Sequence, residues 1–513
     1  MNNQVLTVGK IPEYFGSKAD TKSQIAVVSD NGFRKTWKQI NERSNQVARL
    51  VKEEWGLKRG DKVVTYLLNC GEYIEIIYGL AKLGIGIVPL NFRFVSREVE
   101  YAISHSDAKG IFVSKELLPT LNASLSKIKS FPSTNISVIG EKGDYEKSIE
   151  RFLNGNVPIE ANEDDLFWLA FTGGTTGYPK ACIVTQRTVL TYWTLMTLEF
   201  EVLKRDYMLI AGAFYHGLGF LNALQQLFVG GKTFILGKFD PAQVLKIIEQ
   251  EKITATAMVP TMYSSLIHYP LKEQYNVNSI QVLICTGAPL EKQRKRDIVQ
   301  YFDNAVLNEF YGATESGLFT VLKIKENFSK ADSIGLPAFG MEVKLLDEDG
   351  NEVPVGEVGQ FYKRGPILGG EYYKNPKATD ELYKGEWCSV GDLGYQDEDG
   401  YYYMVGRKKD MVISGGVNIY PDEIEKTILL HPGIQEVAVI GVPDEKWGEK
   451  LKAFIVTKEG ARVTEEEISD ICTQNLASYK NPRIITFLDE LPKNAAGKIL
   501  KRELKNLNVG VQN

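Results

Sequence analysis

Residues Phe171–Cys182 read FTGGTTGYPKAC and follow directly on the apolar run LFWLA (Leu166–Ala170). Three glycines, three threonines and a lysine fall within this one stretch. Such a segment between two apolar runs reads as a loop joining two strands. Backbone amides in a glycine-rich loop can converge on an anion, and hydroxyls with a lysine add donors and charge. A plain turn of small residues would have the same composition, so the stretch alone leaves both readings open. Its spacing from Gly173 to Lys180 does not fit the GxxxxGK[ST] phosphate loop. The other tempting site, GGKT at Gly230–Thr233, has Gln226 where the upstream glycine belongs and reads as an ordinary turn before a strand.

On either side of the loop, short β-branched runs alternate with helical patterns. VVTYLL, GEYIEIIYGLAKLG, IGIVPL, SREVEYAISHSD and KGIFVS precede it. YMLIAGAF, GKTFIL, DPAQVLKIIEQEK, ATAMVP, SIQVLICTG and PLEKQRKRDIVQYF follow it. Strands alternating with helices imply βαβ crossovers and parallel sheets, here in two α/β subdomains. Beyond about Ser333 the pattern changes: Asp349-Gly350 and the stretch YQDEDGYYYMVGR carry hairpin signals, which predict a small antiparallel sheet or barrel. A last α+β unit follows, with a boundary expected near Arg407–Lys409. The predicted domains are therefore 1–406 and a smaller, mobile 407–513.

The chain has 513 residues, 43% of them apolar and 24% charged, with a net charge of -5. That balance predicts several folded units and disfavours both disorder and a general nucleic-acid binder. The five cysteines and four histidines are scattered, with neither CxxC nor zinc spacing, as expected of inert thiols in a reducing compartment. The start, MNNQVLTVGKIPEYFG, lacks the pattern of a secretory signal. The apolar stretches Ile74–Phe92 and Ala211–Gly230 are broken by Lys82 and by polar or glycine residues, so a soluble, cytoplasmic protein without a membrane span is expected.

The opening stretch resembles the phosphate loop of the adenylate-forming superfamily, which contains acyl-CoA synthetases, peptide-synthetase adenylation domains and luciferases. Phe171, Thr172, Gly174, Thr175, Thr176, Gly177, Pro179 and Lys180 match that pattern. Gly173 replaces a hydroxyl residue and Ala181 the last glycine, departures that preserve the backbone amides. Further motifs of the family follow in order: TGAPL (Thr286–Leu290), FYGATE (Phe310–Glu315), SVGD (Ser389–Asp392), GRKKDMVISGGVNIYPDEIE (Gly406–Glu425) and PKNAAGK (Pro492–Lys498).

The resemblance implies a chemistry with a clear physical need. A carboxylate resists nucleophiles until ATP gives it AMP as a leaving group, and two anions must be held together against their repulsion. Lys498 would bridge the carboxylate and the α-phosphate. Thr172, Gly174, Thr175, Thr176, Gly177 and Lys180 would cradle the leaving pyrophosphate. Gly287, Ala288, Pro289, Tyr311 and Gly312 would lie along the adenine, and Thr314 would bond the α-phosphate. Glu315 would coordinate Mg2+, a hard cation suited to carboxylate and phosphate oxygens. Asp392 and Arg407 would hold the ribose, and Lys409 stands at the family's hinge position. Rotation there would bring Ser414, Gly415 and Gly416 to the adenylate, where glycines admit the pantetheine arm of coenzyme A.

The substrate follows less directly. His216, in FYHGLG, occupies the place where amino-acid-activating relatives carry an aspartate, so a substrate ammonium is disfavoured. In the resemblance it lines the carboxylate and thiolation path. Gly312 stands where acetate-specific relatives place a tryptophan, which implies an open acyl pocket flanked by Phe214 and Leu218. A ligase for medium- to long-chain fatty acids is the favoured expectation. An aryl-acid or succinylbenzoate-type CoA ligase stands second, and an acyl-AMP ligase loading a carrier protein third. A non-catalytic nucleotide binder would be expected to lack Lys498, Glu315 or Asp392, and all three are present. The oligomeric state is not fixed by any motif, and a homodimer stays open.

Overall fold

In the computed structural model, which describes residues 6–128, 131–172, 179–325, 328–367, 370–414, 417–493 and 499–509, the alternating pattern becomes layered sheets and helices. The chain divides into two compact units, Met1–Val343 with Lys363–Cys388, and Lys344–Tyr362 with Ser389–Asn513. The strands Asp392–Gln396 and Tyr402–Arg407, which lie before the boundary expected from sequence, thus group with the second unit.

Two sheets lie wholly within the first unit. In one the order is Ile136–Ile139, Gly110–Ser114, Lys62–Tyr66, Gly86–Pro89, Leu166–Thr172, Lys180–Thr185. All neighbours are parallel except the last pair, which is antiparallel and flanks the glycine–threonine stretch. The crossover helices Glu72–Leu83 and Ser96–Ser106 match the periodic runs in the sequence. Strands such as Gly110–Ser114 are buried throughout, which is why they read as continuous apolar runs rather than alternating ones. The second sheet has nine strands. Its centre is parallel, running from Ile25–Ser29 through Lys232–Ile235, Tyr207–Ile210, Ala255–Met258 and Val282–Cys285 to Val306–Ala313. The last of these folds back antiparallel onto Gly317–Ile324.

A charge that interrupts the hydropathy of the first sheet's helix is not at the surface. Lys82 is fully buried, and its Nζ donates to Asn41 Oδ1 at 2.7 Å and Asn45 Oδ1 at 2.6 Å. Both asparagines lie on the helix Trp37–Arg49, so the lysine joins two helices from inside the core. Burial lowers its pKa to about 7, because the desolvated ammonium has lost its hydration.

The second unit is α+β. Its long strands Ile434–Asp444 and Gly448–Thr457 pair antiparallel, and Ile484–Phe487 joins the latter in parallel. Helices Pro421–Ile428 and Glu465–Asn475 bury Ile424, Ile428, Ile468 and Cys472 against Val439, Leu451 and Ile455 of those strands. Glu465–Asn475 begins in a reciprocal cap. Glu467 N donates to Thr464 Oγ1 at 3.2 Å and Thr464 N to Glu467 Oε2 at 2.8 Å, an arrangement that contributes about 1 kcal/mol. The hairpin anticipated from YQDEDGYYYMVGR pairs Asp392–Gln396 with Tyr402–Arg407. No described helix is long and apolar enough to cross a membrane. All five cysteines are buried and free.

Candidate active site

In the first unit the motif residues collect at the ends of strands. Thr172 and Lys180 are directly paired across the antiparallel strands that flank the phosphate-loop stretch, and Thr172 Oγ1 lies 3.4 Å from Lys180 O. Gly174, Thr175, Thr176 and Gly177 lie outside the described residues. Thr286–Leu290 follows the carboxyl end of the parallel strand Val282–Cys285, where open α/β sheets bind their ligands. Gly287, Ala288 and Pro289 are exposed there, and Gly287 takes φ +95°, a left-handed conformation open to glycine. Both ends of this exposed arch are tied to the neighbouring strand. Thr286 Oγ1 donates to Phe310 O at 2.8 Å, and Leu290 N donates to Glu309 Oε1 at 3.2 Å. Glu309 is in turn ion-paired with the buried Lys295, whose Nζ also reaches Ala331 O at 2.5 Å. Burial pushes the Glu309 carboxyl upward, with Lys295 opposing it.

The strand Val306–Ala313 also carries Tyr311 and Gly312. The Tyr311 ring packs 5.0 Å from that of Phe319. A register shift falls between Tyr311 and Gly312, and a Cβ at Gly312 would lie 2.4 Å from Gly317 O and 3.1 Å from Gly317 C. Glycine is therefore required by the close approach of the hairpin's own backbone, whatever space lies on the other side. Thr314 and Glu315 form the turn of this hairpin and are half-buried. Glu315 Oε1 accepts from Tyr372 Oη at 3.0 Å, and Cys182 Sγ lies 3.7 Å from Thr314 O. Burial and the Glu315 carboxylate raise the Tyr372 phenol, which stays protonated and donating. No hydrogen-bond partner for Glu315 Oε2 is found among the described residues, and no cluster of three metal-ligating side chains exists among them. A carboxylate oxygen left this way suits a hard cation that completes its shell with other oxygen ligands.

His216 is the residue before the helix Gly217–Phe228, with its amide donating to Ala213 O at 3.1 Å. The imidazole is accessible to solvent yet surrounded by enough protein to be desolvated. That desolvation, with the Arg93 cation, lowers its pKa to about 4. It is therefore a neutral imidazole at neutral pH, with a ring 4.4 Å from Tyr215. Leu218 is half-buried on the first turn of the helix, whereas Phe214 is fully buried, edge-on to Tyr73 at 5.1 Å.

The second unit presents its own group. Asp392 is buried and faces Arg407 across the register of their strands, with Arg407 Nε 3.0 Å from Asp392 Oδ1. Ser389 Oγ, in the same motif, accepts from Gln360 Nε2 at 2.8 Å and from Gly391 N at 3.2 Å. Lys409 lies in the short 3-10 turn Lys408–Asp410. Ser414 pairs with Val417 across an antiparallel hairpin and with Gly448 on its other side. Gly415 and Gly416 lie outside the described residues, as does Lys498, and Lys493 and Ile499 on either side of Lys498 form an antiparallel bridge.

Two residues at the first unit's site are marked by no motif. Tyr372 comes from a segment remote in sequence from Glu315, which it touches, and Arg93 from one remote from His216, whose protonation it disfavours; spacing carries no trace of either. The repeated aromatic in EYYKNP was the one available hint.

Comparison with known proteins accords with this arrangement. The family model described as AMP-binding enzyme matches residues 16–373, and that of the AMP-binding enzyme C-terminal domain matches 423–498. The chain is 32% identical over 470 residues to a feruloyl-CoA synthase of Amycolatopsis sp, covering 90% of this chain and 92% of that protein. It is 30% identical over 505 residues to a long-chain-fatty-acid–CoA ligase of Escherichia coli O6:H1, covering 92% and 90%. The crystal structure of ATP-bound MatB from Rhodopseudomonas palustris superposes with a TM-score of 0.89 at 26% identity, covering 99% of this chain and 100% of that one. With two family models along its length and relatives of 30% and 32% identity covered almost end to end, the chain belongs to the AMP-binding, adenylate-forming enzymes, on their acyl-CoA ligase branch.

Proposed function

We propose that the protein is an ATP-dependent carboxylic acid–CoA ligase acting on medium- to long-chain fatty acids. The environment of His216 carries this reading. A neutral imidazole within the field of the Arg93 cation, next to a helix start bearing the half-buried Leu218, suits an anionic head on an apolar tail and offers no carboxylate to a substrate ammonium. Each methylene buried along such a surface contributes about 0.8 kcal/mol.

In the first half-reaction a carboxylate oxygen attacks the α-phosphorus of ATP and pyrophosphate leaves, giving acyl-AMP. Lys498 offsets the charge between the two anions, and Lys180 with the glycine–threonine loop holds the departing pyrophosphate. Thr314 donates to the α-phosphate, and Asp392 and Arg407 fix the ribose. Glu315 would hold Mg2+, which when bound neutralises phosphate charge. In the second half-reaction the sulfur of coenzyme A attacks the acyl carbonyl and AMP leaves. Ser414, Gly415 and Gly416 line the path of the thiol once the chain beyond Lys409 has turned. His216 orients the carboxylate by hydrogen bonding rather than by charge. A cytoplasmic location fits the five free, buried thiols.

An aryl acid is the second reading, favoured by the 32% identity to a feruloyl-CoA synthase. Purified protein incubated with ATP, magnesium, coenzyme A and a panel of acids, read by mass spectrometry, separates the possibilities. Acyl-CoA formed best from C8–C18 acids is the expected outcome. A preference for cinnamic or benzoic acids would replace the fatty-acid reading, and acyl-AMP accumulating without thioester would point to a carrier protein as acceptor.

A further inference from the structure

Tyr372 touches two groups that the proposed reaction places at the phosphates. Its hydroxyl donates to Glu315 Oε1 at 3.0 Å, and the Lys180 ammonium lies 4.8 Å from the centroid of its ring. The side chain is buried and its backbone is fastened on both sides. Tyr372 bridges Cys182 in antiparallel fashion, Ile183 N donates to Glu371 O at 2.8 Å, and Tyr373 N donates to Ala181 O at 2.7 Å. Tyr372 N itself donates to Thr379 Oγ1 at 2.9 Å. The segment thus runs as an added strand beside Lys180–Thr185, the strand that leaves the phosphate loop.

We infer that Tyr372 is a positioning residue that fixes Lys180 and Glu315 relative to each other, and so sets how a divalent cation and the phosphates of ATP are received together. A carboxylate on a hairpin turn could otherwise rotate, and a lysine side chain could swing into solvent. The phenol restrains one carboxylate oxygen and leaves the other toward a cation. The ring face offers the ammonium a resting place that does not compete for its charge as a second carboxylate would. Cys182, next in the bridge, lies close to the Thr314 carbonyl and joins the same strand to the same turn.

The inference rests on the proposed roles of Glu315 and Lys180, and the test separates the two levels. Mn2+ binding to the full-length protein saturated with α,β-methylene-ATP is followed by electron paramagnetic resonance for wild type, Tyr372→Phe, Tyr372→Leu and Glu315→Gln. Tyr372→Phe, which removes only the hydroxyl, should raise the Mn2+ half-saturation about tenfold with the unfolding temperature of the free protein near wild type. Tyr372→Leu, which also removes the ring, should in addition weaken binding of the metal-free analogue. Wild-type Mn2+ affinity in Tyr372→Phe, alongside a loss in Glu315→Gln, overturns the positioning role. Metal affinity lost only in step with the unfolding temperature overturns it too, making Tyr372 a fold-holding residue. Unchanged Mn2+ binding in Glu315→Gln would instead remove Glu315 from the metal site.

Discussion

Asp392 and Arg407 stand opposite each other in an antiparallel register, joined by an ion pair of 3.0 Å in which the carboxylate is buried and the guanidinium partly open. On the role proposed for them, the two would offer their acceptors and donors to a ribose together. Asp392→Asn keeps the shape and removes the charge. It should weaken ATP binding about ten- to a hundredfold and lower stability by about 1–2 kcal/mol. Isothermal titration with ATP and denaturant unfolding check the two effects separately, and unchanged ATP affinity would free the pair of any nucleotide role.

Lys498→Ala should nearly abolish acyl-AMP formation from acid and ATP while sparing thioester formation from preformed acyl-AMP and coenzyme A. Single-turnover assays of each half-reaction distinguish this from a general loss. Equal damage to both would count against a role confined to adenylation.

His216 should remain neutral through the physiological range. Its folded pKa, about 4, lies below the ordinary 6.5, so between these values the unfolded chain binds a proton that the folded one refuses. The stability linked to this residue is full above pH 6.5 and falls as the pH drops toward 4. Nuclear magnetic resonance of the imidazoles, assigned by comparison with His216→Asn, should show no His216 titration between pH 7.5 and 5.5. A midpoint near 6.5 would contradict it, and would restore a charged imidazole to the substrate path.

Lys82 shows the same sign in a higher window. Its folded pKa of about 7 lies below the ordinary 10.5, so the unfolded state binds the extra proton across that interval and stability rises with pH there. Relative to Lys82→Met, the wild-type protein should gain about 1 kcal/mol per pH unit between pH 8 and 10, measured by urea unfolding. A flat difference would mean that the buried amine stays charged.

The βαβ rhythm was legible because strands buried on both faces and helices facing a sheet leave different periods in the chain, as in Gly110–Ser114 and Ser96–Ser106. The grouping of Asp392–Arg407 with the second unit was not, because no change of composition marks that division. Lys82 read as a break in hydropathy, since nothing local announces that Asn41 and Asn45 wait to receive it. At the candidate site the loop and carboxylate positions could be named from their motifs. Tyr372 and Arg93 could not, because the nearness of segments so far apart in sequence is created only by the fold.

The hairpin that carries Gly312 also carries Glu315, and this ties together two properties that an engineer would prefer to adjust one at a time. Any side chain at 312 must displace the backbone of Gly317, at the far side of the turn that presents Thr314 and Glu315. On the roles proposed for Gly312 and Glu315, shortening the acyl pocket from this position would therefore shift the grip on ATP as well. Variants with a new chain-length preference and an intact turnover rate should be sought first on the helix that begins at Gly217, where Leu218 is half-buried and outside that hairpin.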